Sequence, residues 1–570
     1  MRKIQLIPIL ATALLQACGG TSSSNTQPAG LTGSQQIEAT SMDVMITSPA
    51  PNIADGTDTN IVTTTVYIPA HAQGEPYPLV IHGHGWGGDR YSQADVDAND
   101  PEPGTSTTSM FSLIDQRVEV LWDAGYAVVS FDQRGFGRGD DGDNGTSDGA
   151  HAMDPRYEVQ DAIAVLDWAV ANLDLVMDAP GDPRVGSIGG SYGGGYQLLM
   201  AAVDARLDAI TPSGTWYDFA QSLSPNRVIK KGYSAGLCVL AQTDGAQLSE
   251  EVQGSCDEAV TDQTTRFQED LSERSQNVFL EHGMNVYEET PGFVLPPVDA
   301  LVIQGNRDIL FNFNQAADNF AFLSSAGDAR LITQENGHSL SQLRFGPGSQ
   351  GALGNNTCGG LDTMAAIKSW FDQKLKGLPV STGLPARVCI SLDDNRGALL
   401  NEVPVGNPGG NPAFRATIAD ATLVQASQHN NTASETGEAL FVPIGAPISG
   451  DGFSLAGIPI ANVSIDPALV AEGVVFMGTG IQRGGSTFLV DQQVVPVRSS
   501  DERAGAMPEP IRLVGIGEKL EDGDVVGVLL YGQFDQFENE ARSLYASNAA
   551  NIAGTVDFPI VEAAISSLNP

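Results

Sequence analysis

SIGGSYGGGY, Ser187 to Tyr196, sets Ser191 among five glycines, at the end of the short apolar run Arg184-Val185-Gly186-Ser187-Ile188. Glycine inside a regular element costs roughly 0.5–1 kcal/mol against alanine, so five of them need a reason. A loop, or a helix start packed close to its neighbours, would be the plain one. Gly189-Gly190-Ser191-Tyr192-Gly193 also fits G-x-S-x-G, the elbow in which a strand turns abruptly into a helix with the serine at its strained apex. Side chains at positions 189 and 193 would clash beside such an apex, and Gly194 and Gly195 let the helix lie close on a sheet. The strand before the motif and YQLLMAAVDARL after it supply the context the elbow needs.

Working outward, DVMITSP and NIVTTTVYIPA alternate like an opening hairpin. YPLVIHG reads as a strand and MFSLIDQRVEVLWDAG as a helix stopped by Gly125. YAVVSFDQRG is a strand, RYEVQDAIAVLDWAVANL an amphipathic helix and LDAITPSGT a further strand. Strands separated by such helices imply a parallel sheet, with its chemistry at the carboxyl ends of the strands. From Trp216 to Pro297 the rhythm gives way to a polar, mostly helical insertion. It resumes with VDALVIQGNRD, NQAADNFAFLSSAG, ARLITQENGH and LDTMAAIKSWFDQKLKG. From about Leu384 onward, short strands between turn signals, such as EGVVFMGTGIQR and DVVGVLLYGQF, read as a β-sandwich domain.

A serine hydroxyl needs a base to take its proton, and the base needs an acid to fix its tautomer. In an elbow fold the chain order is serine, acid, histidine. Of the seven histidines, His71, His82, His84 and His151 precede Ser191, His282 lies in the insertion and His429 in the β domain. His338, in LITQENGHSL after a strand, is the expected base. Asp308, ending the strand ALVIQGNRD, is the expected acid. Asp299 lies inside that strand and Asp318 in the next helix, so both fit less well, and Asp132 in FDQRGFGRG reads as structural. An oxyanion needs preorganised N–H donors. The amide of Tyr192 is one candidate. The other is the amide of Trp86 or Gly85, in the loop HGHGWGG after PLVI. Gly83, Gly85 and Gly88 also match a dinucleotide fingerprint, but no helix follows to receive a pyrophosphate, so no cofactor is expected.

The acidic run GDDGDNGTSDG, Gly139 to Gly149, could offer Asp141, Asp143 and Asn144 to calcium. Its fifth position is Gly145, not an oxygen-bearing side chain, so it reads as a solvated loop and no metal is expected. Of the four cysteines after Cys18, the sequence-local pairing Cys238–Cys256 and Cys358–Cys389 is the expected one among three possible connectivities. A net charge of −40 argues against nucleic acid or anionic membrane surfaces as partners.

The start, MRKIQLIPILATALLQAC, pairs a basic n-region with an apolar core, Ile4 to Leu15, too short to span a bilayer. Leu15-Gln16-Ala17-Cys18 resembles the lipobox of bacterial lipoproteins. The resemblance implies cleavage before Cys18 and its lipidation, and Gly19 after it implies sorting to the outer membrane of a Gram-negative cell. Residues 1–17 are then a signal peptide and residues 18–36 a flexible tether.

FDQRGFGRGD, IGGSYGGGYQ, IQGNRDILFN and ENGHSL stand in order along the chain. Together, and with TPSGTWYDFAQSLSPNRVIKKGY, they resemble the X-Pro dipeptidyl-peptidase family and its relative cocaine esterase. The resemblance implies an α/β-hydrolase core over residues 37–383 with a helical cap at about 216–297, then a jelly-roll-like β-sandwich over 384–570. It implies Ser191 as nucleophile, Asp308 as acid and His338 as base. That family commonly uses a tyrosine hydroxyl in its oxyanion hole. Here the loop offers Trp86, with Tyr91 the nearest tyrosine, which favours a backbone donor.

The expected function is a lipid-anchored serine hydrolase working through an acyl-enzyme, with an esterase or broad acyl hydrolase favoured. An X-Pro dipeptidyl-peptidase is the alternative. It would need cap carboxylates facing Ser191 to hold a free ammonium, among Asp218, Glu250, Glu251, Asp257 and Glu258. An esterase would need an apolar acyl pocket, which WYDF and FVLPP at the cap edges could line. An inert glycan-binding surface protein is the alternative of another class. If Cys18 carries the only anchor, Cys18→Ser moves the protein from the membrane to the soluble fraction with its activity intact. Retention of a signal-cleaved Cys18→Ser protein, read by fractionation and N-terminal sequencing, contradicts this.

Overall fold

The structure is a computed structural model. It describes residues 35–52, 56–92, 118–137, 149–243, 245–261, 279–338, 357–379, 384–392, 395–424, 439–465, 474–498, 510–531, 534, 537, 549–562 and 564–566. The expected signal peptide (residues 1–17), Cys18 and the expected tether up to residue 34, and the acidic run up to residue 148, lie outside these residues.

Strands β1 (Thr40–Ser48) and β2 (Asn60–Ile68) form the expected opening hairpin. β3 (Leu79–Gly83) and β4 (Ala127–Phe131) follow, with α1 (Val118–Asp123) between them. Then come α2 (Glu158–Asn172), β5 (Val185–Gly190), α3 (Tyr192–Val203) and β6 (Leu207–Ser213). The insertion supplies α4 (Phe219–Leu223), α5 (Lys231–Thr243), α6 (Glu250–Thr261) and α7 (Asn285–Glu289). Regular alternation returns with β7 (Asp299–Gly305), α8 (Phe313–Leu323), β8 (Ala329–Gln334) and α9 (Thr363–Lys376).

Pairing from β4 through β3, β5, β6, β7 to β8 is parallel throughout. These strands are apolar on both faces because helices cover both faces. α2, α3 and α8 contribute to one core cluster, and α1 and α9 to the other. Every carboxyl end of the parallel strands therefore opens on one edge of the sheet, beneath the cap.

The large sheet does not stop at residue 384. β9 (Val388–Leu392) pairs parallel with β8, and β10 (Arg396–Leu400) pairs antiparallel with β9. Residue 384 is thus too early a boundary: the last strand of the parallel series is VCISL, buried along its whole length. Its shortness made it look like the strands that follow. Those are β11 (Arg415–Val424), β12 (Leu440–Pro443), β13 (Ser454–Gly457), β14 (Ile460–Ile465), β15 (Val474–Arg483), β16 (Ser486–Arg498), β17 (Ile511–Arg512), β18 (Ile516–Lys519), β19 (Val525–Tyr531), β20 (Ala549–Asp557) and β21 (Ile560–Val561). They form two four-stranded sheets, β11-β20-β14-β17 and β12-β19-β15-β16, and a three-stranded one, β18-β13-β21. A final strand, β22 (Ala564–Ser566), returns to pair with β10, so the large sheet has eleven strands.

The disulfides follow the sequence-local pairing. Cys238–Cys256 joins α5 to α6, and Cys358–Cys389 ties a turn before α9 to β9. No helix among the described residues is long and apolar enough to cross a membrane. Asp132 is structural: its carboxylate takes Arg90 Nη1 at 2.6 Å and the Arg90 amide at 2.7 Å, and burial pushes it up to about 7. Two residues on, Arg134 forks onto Asp161 of α2 with N···O distances of 2.8 and 2.9 Å, both side chains being fully buried. Removing one partner of such a pair strands a buried charge at a cost of about 3–5 kcal/mol. Asp161→Ala should therefore clearly lower the first thermal unfolding transition. An unchanged transition would mean that this pair adds nothing to the fold.

Candidate active site

β5 ends at Gly190 and α3 begins at Tyr192, leaving Ser191 as the hinge between them. Its backbone stands at φ 55°, ψ −118°, a left-handed conformation that a non-glycine residue adopts only under constraint. Two glycines make room for it. A Cβ on Gly193 would overlap the Gly83 carbonyl, and one on Gly189 would overlap the Gly193 carbonyl. The Ser191 amide donates to Ser213 O of β6 at 2.9 Å, and its carbonyl accepts from Gly194 and Gly195 at 2.9 and 3.1 Å.

β7 and β8 lie beyond β6 in the sheet, and the loops at their carboxyl ends bring two side chains to the elbow. His338, four residues past the end of β8, places Nε2 2.9 Å from Ser191 Oγ. Its Nδ1 lies 2.7 Å from Asp308 Oδ2, in the turn after β7. The other oxygen, Asp308 Oδ1, accepts from the amides of Leu310 and Phe311 at 3.0 and 2.9 Å. With Oδ2 facing Nδ1, the imidazole carries its proton there and leaves Nε2 free to accept from the serine. Asp308 and His338 are buried, and Ser191 is nearly so. Asp299 instead pairs with Lys374 at 2.8 Å and Asp318 with Arg512 at 2.8 Å, both away from the serine.

The Tyr192 amide is the first in α3, so it has no partner within the helix. In the facing loop, the Gly85 carbonyl accepts from Gly88 N at 3.0 Å and lies 2.7 Å from His84 Nδ1. His84 Nε2 accepts from Gln133 N at 2.9 Å, so the ring is neutral with its proton on Nδ1. Burial pushes it down to about 3, keeping it neutral at ordinary pH. Pinning the Gly85 carbonyl pins the trans peptide it belongs to, and the Trp86 N–H must point the opposite way. The indole of Trp86 donates to Leu237 O of α5 at 3.0 Å, and its ring stands edge-on to Tyr192 at 5.2 Å. Tyr91 is buried in the core cluster with Tyr67 and Val80.

Several neighbours of the site were not visible in the sequence. The buried Lys230 of the cap donates to Leu310 O at 2.8 Å, and burial pushes it down to about 7 against the pull of Asp308. Tyr233 OH donates to His338 O at 2.7 Å. Glu158 accepts from Tyr192 OH at 3.1 Å and from Asp154 N at 3.0 Å, and burial pushes it up to about 8. Gln493, far along in the β domain, reaches the turn that carries Asp308. Lys230 and Tyr233 stand in the quoted stretch TPSGTWYDFAQSLSPNRVIKKGY without a role that its order reveals, and for Glu158 and Gln493 only polarity within apolar surroundings could have marked them.

An apolar cavity of about 80 Å³ lies between core and cap, lined among others by Trp86, Ala152, Phe219, Leu237, Val252 and Phe279. Trp86 borders it from the loop. Phe219 connects it to the histidine through Trp216 (4.5 Å) and Phe311, whose ring stands edge-on to His338 at 5.1 Å. WYDF thus contributes Phe219, while FVLPP does not contribute: Val294 is 83 % exposed, and Phe293 packs on Tyr287. Cys238 and Cys256 also line the cavity. Of the cap carboxylates, Asp218 caps α4 by accepting from Gln221 N, and Glu250, Glu251 and Asp257 are exposed. The side chain of Glu258 lies outside the described residues. No cluster of potential metal ligands occurs among the described residues.

An elbow serine, a strand-end histidine and a strand-end aspartate on one parallel sheet define an α/β-hydrolase. Residues 55–341, about half of the chain, match the profile of the X-Pro dipeptidyl-peptidase (S15) family, and the chain belongs to that family. A CocE/NonD family hydrolase from Staphylococcus aureus superposes with a TM-score of 0.55 at 13% identity, over 91% of this chain and 94% of that one. An α-amino acid ester hydrolase gives 0.54 at 15% identity, over 92% and 97%. At such identities the likeness is one of fold. An uncharacterized 31.7 kDa protein of the traX-finO intergenic region of Escherichia coli is 34% identical over 88 residues, 15% of this chain and 27% of that protein. The chain thus spans about a quarter of the length of the curated relatives it matches.

If the three residues act as one unit, Ser191→Ala, His338→Ala and the double variant should lose turnover almost equally, each falling by more than about a thousandfold. Multiplying losses would show that His338 does not serve Ser191.

Proposed function

We propose that the protein is an exported, lipid-anchored serine ester hydrolase that works through an acyl-enzyme. The observation that carries this is the Ser191–His338–Asp308 relay, with contacts of 2.9 and 2.7 Å, linked through the rings of Phe311, Trp216 and Phe219 to an apolar cavity under the cap. His338 Nε2 takes the proton of Ser191 Oγ as Oγ attacks the ester carbonyl. Asp308 holds the ring and stabilises the imidazolium that forms. The oxyanion faces the Tyr192 amide and the amide of Trp86, whose direction the pinned Gly85 carbonyl sets. His338 then gives its proton to the leaving alcohol, and a water activated by the same nitrogen releases the acid. Each donor is worth about 2.7–4 kcal/mol in such sites. Lipidation of Cys18 would hold this machinery at a bacterial outer membrane.

Ester over peptide is favoured by the lining. A dipeptidyl-peptidase must neutralise a substrate ammonium, and the cavity has no carboxylate among its described lining residues. An apolar acyl group meets no such demand. The test pairs short-chain nitrophenyl esters with an X-Pro anilide, together with fluorophosphonate labelling. Labelling at Ser191, with ester kcat/KM at least about a hundredfold above the anilide, is expected, since an unpaired buried ammonium is rejected by large factors. Preference for the X-Pro anilide would overturn the ester assignment. Absence of labelling would favour the inert glycan-binding alternative.

A further inference from the structure

The β domain reaches into the candidate active site at one place. On the β15–β16 hairpin, Gly478 pairs with Val494 and Gly480 with Leu489, so Thr479 alone stands opposite Val490 to Gln493. The surplus residues bulge out of the ladder. Asp491 and Gln492 within the bulge take φ 49° and 59°, a left-handed pair in residues that carry side chains. Both are buried, as is Gln493. Gln493 Nε2 donates to Asn306 O and to Asp308 O, each at 2.9 Å. The carboxamide thus spans the turn that presents the triad acid, and the bend that aims it is conformationally costly. Bulges and left-handed side-chain-bearing residues persist where the surrounding structure over-determines them.

Resting on the hydrolase assignment above, the geometry points to Gln493 as a positioning residue for Asp308, through which the β domain sets the catalytic competence of the core. Asp308 Oδ1 is held by the amides of its own turn, and those amides keep their direction only while the turn keeps its shape. Gln493 fixes the two carbonyls at the start of that turn. The turn is gripped from its other sides as well. Lys230 Nζ holds Leu310 O, and Asn306 Nδ2 donates to Glu335 Oε1 at 2.7 Å and to Ser391 O at 3.1 Å. The charged and titratable groups around Asp308 are therefore His338 after β8, 2.7 Å away, with Lys230 and Tyr233 from the cap, Arg307 on its own turn, Glu335 after β8 and Asp491 on the bulge. Arg307 Nε stands 3.7 Å from both Glu335 and Asp491.

Gln493→Met keeps the length of the side chain and removes both donors. In the full-length protein, with a nitrophenyl ester, kcat should fall about tenfold, the effect of leaving buried carbonyls without a donor. KM should stay within about twofold, because Gln493 is not among the residues lining the cavity. The rate of fluorophosphonate inactivation should fall with kcat. The acid limb of the kcat pH profile should move to lower pH, because a less well-held carboxylate supports the imidazolium less. Gln493→Glu, with its anion against two carbonyls, should lose more than Gln493→Met. A folded Gln493→Met enzyme with unchanged kcat and acid limb, or with its whole loss in KM, overturns the proposal. If Gln493→Met does not fold, Gln493→Asn is read the same way, since it keeps the donors but withdraws them by one methylene. A wild-type protein that does not label at Ser191 would sink the hydrolase assignment itself. A labelled wild type with an equally reactive Gln493→Met would sink only the role of Gln493.

Discussion

Ser191 holds a backbone conformation of φ 55°, ψ −118°, and the site exists only because the chain around it tolerates that strain. Such a residue costs on the order of 1–3 kcal/mol and reverts unless its surroundings over-determine it. Here they do. The Ser191 amide is bonded to β6, and its carbonyl is bonded into the first turn of α3. Gly193 lies against the Gly83 carbonyl, so one backbone contact sets both the apex and the start of the loop that carries Trp86. The hydroxyl is thereby lifted clear of the strand, towards His338.

The acid is constrained in a different way. Asp308 lies where three parts of the chain meet, and each supplies a donor to its turn: its own amides, the cap lysine Lys230 and the β-domain glutamine Gln493. A buried carboxylate needs several hydrogen bonds to remain useful, and a single segment seldom supplies them all. The core alone carries Ser191, Asp308 and His338. The shell that orients one of them is drawn from the whole chain.

This difference marks what the amino-acid order could reveal. Ser191, Asp308 and His338 each sit at the end of a parallel strand, and strand ends, glycine punctuation and chain order are local signals. The parallel core and the helical insertion were legible for the same reason. Gln493 stands 185 residues from Asp308, and no periodicity links a bulge in one sheet to a turn in another. His84 was set aside because it precedes the serine, but a neutral ring bonded on both sides acts on the loop without acting on the proton. The boundary near residue 384 failed because VCISL has the length of an outer strand and the burial of a central one. FVLPP failed because apolar residues at an edge need not turn inward, as Val294 shows.

The pairing of β22 with β10 bears on how such a chain comes together. Ala564–Ser566 are made after every other described element, yet they close the far edge of the sheet that carries Ser191. Until they arrive, Arg396–Leu400 presents a row of unsatisfied amide and carbonyl groups, the kind of edge that recruits strands from other molecules. The sheet of the core is therefore closed by chain from the far side of the β domain, and the contact that seals it, Gly397 with Ser566, is among the least local in the molecule.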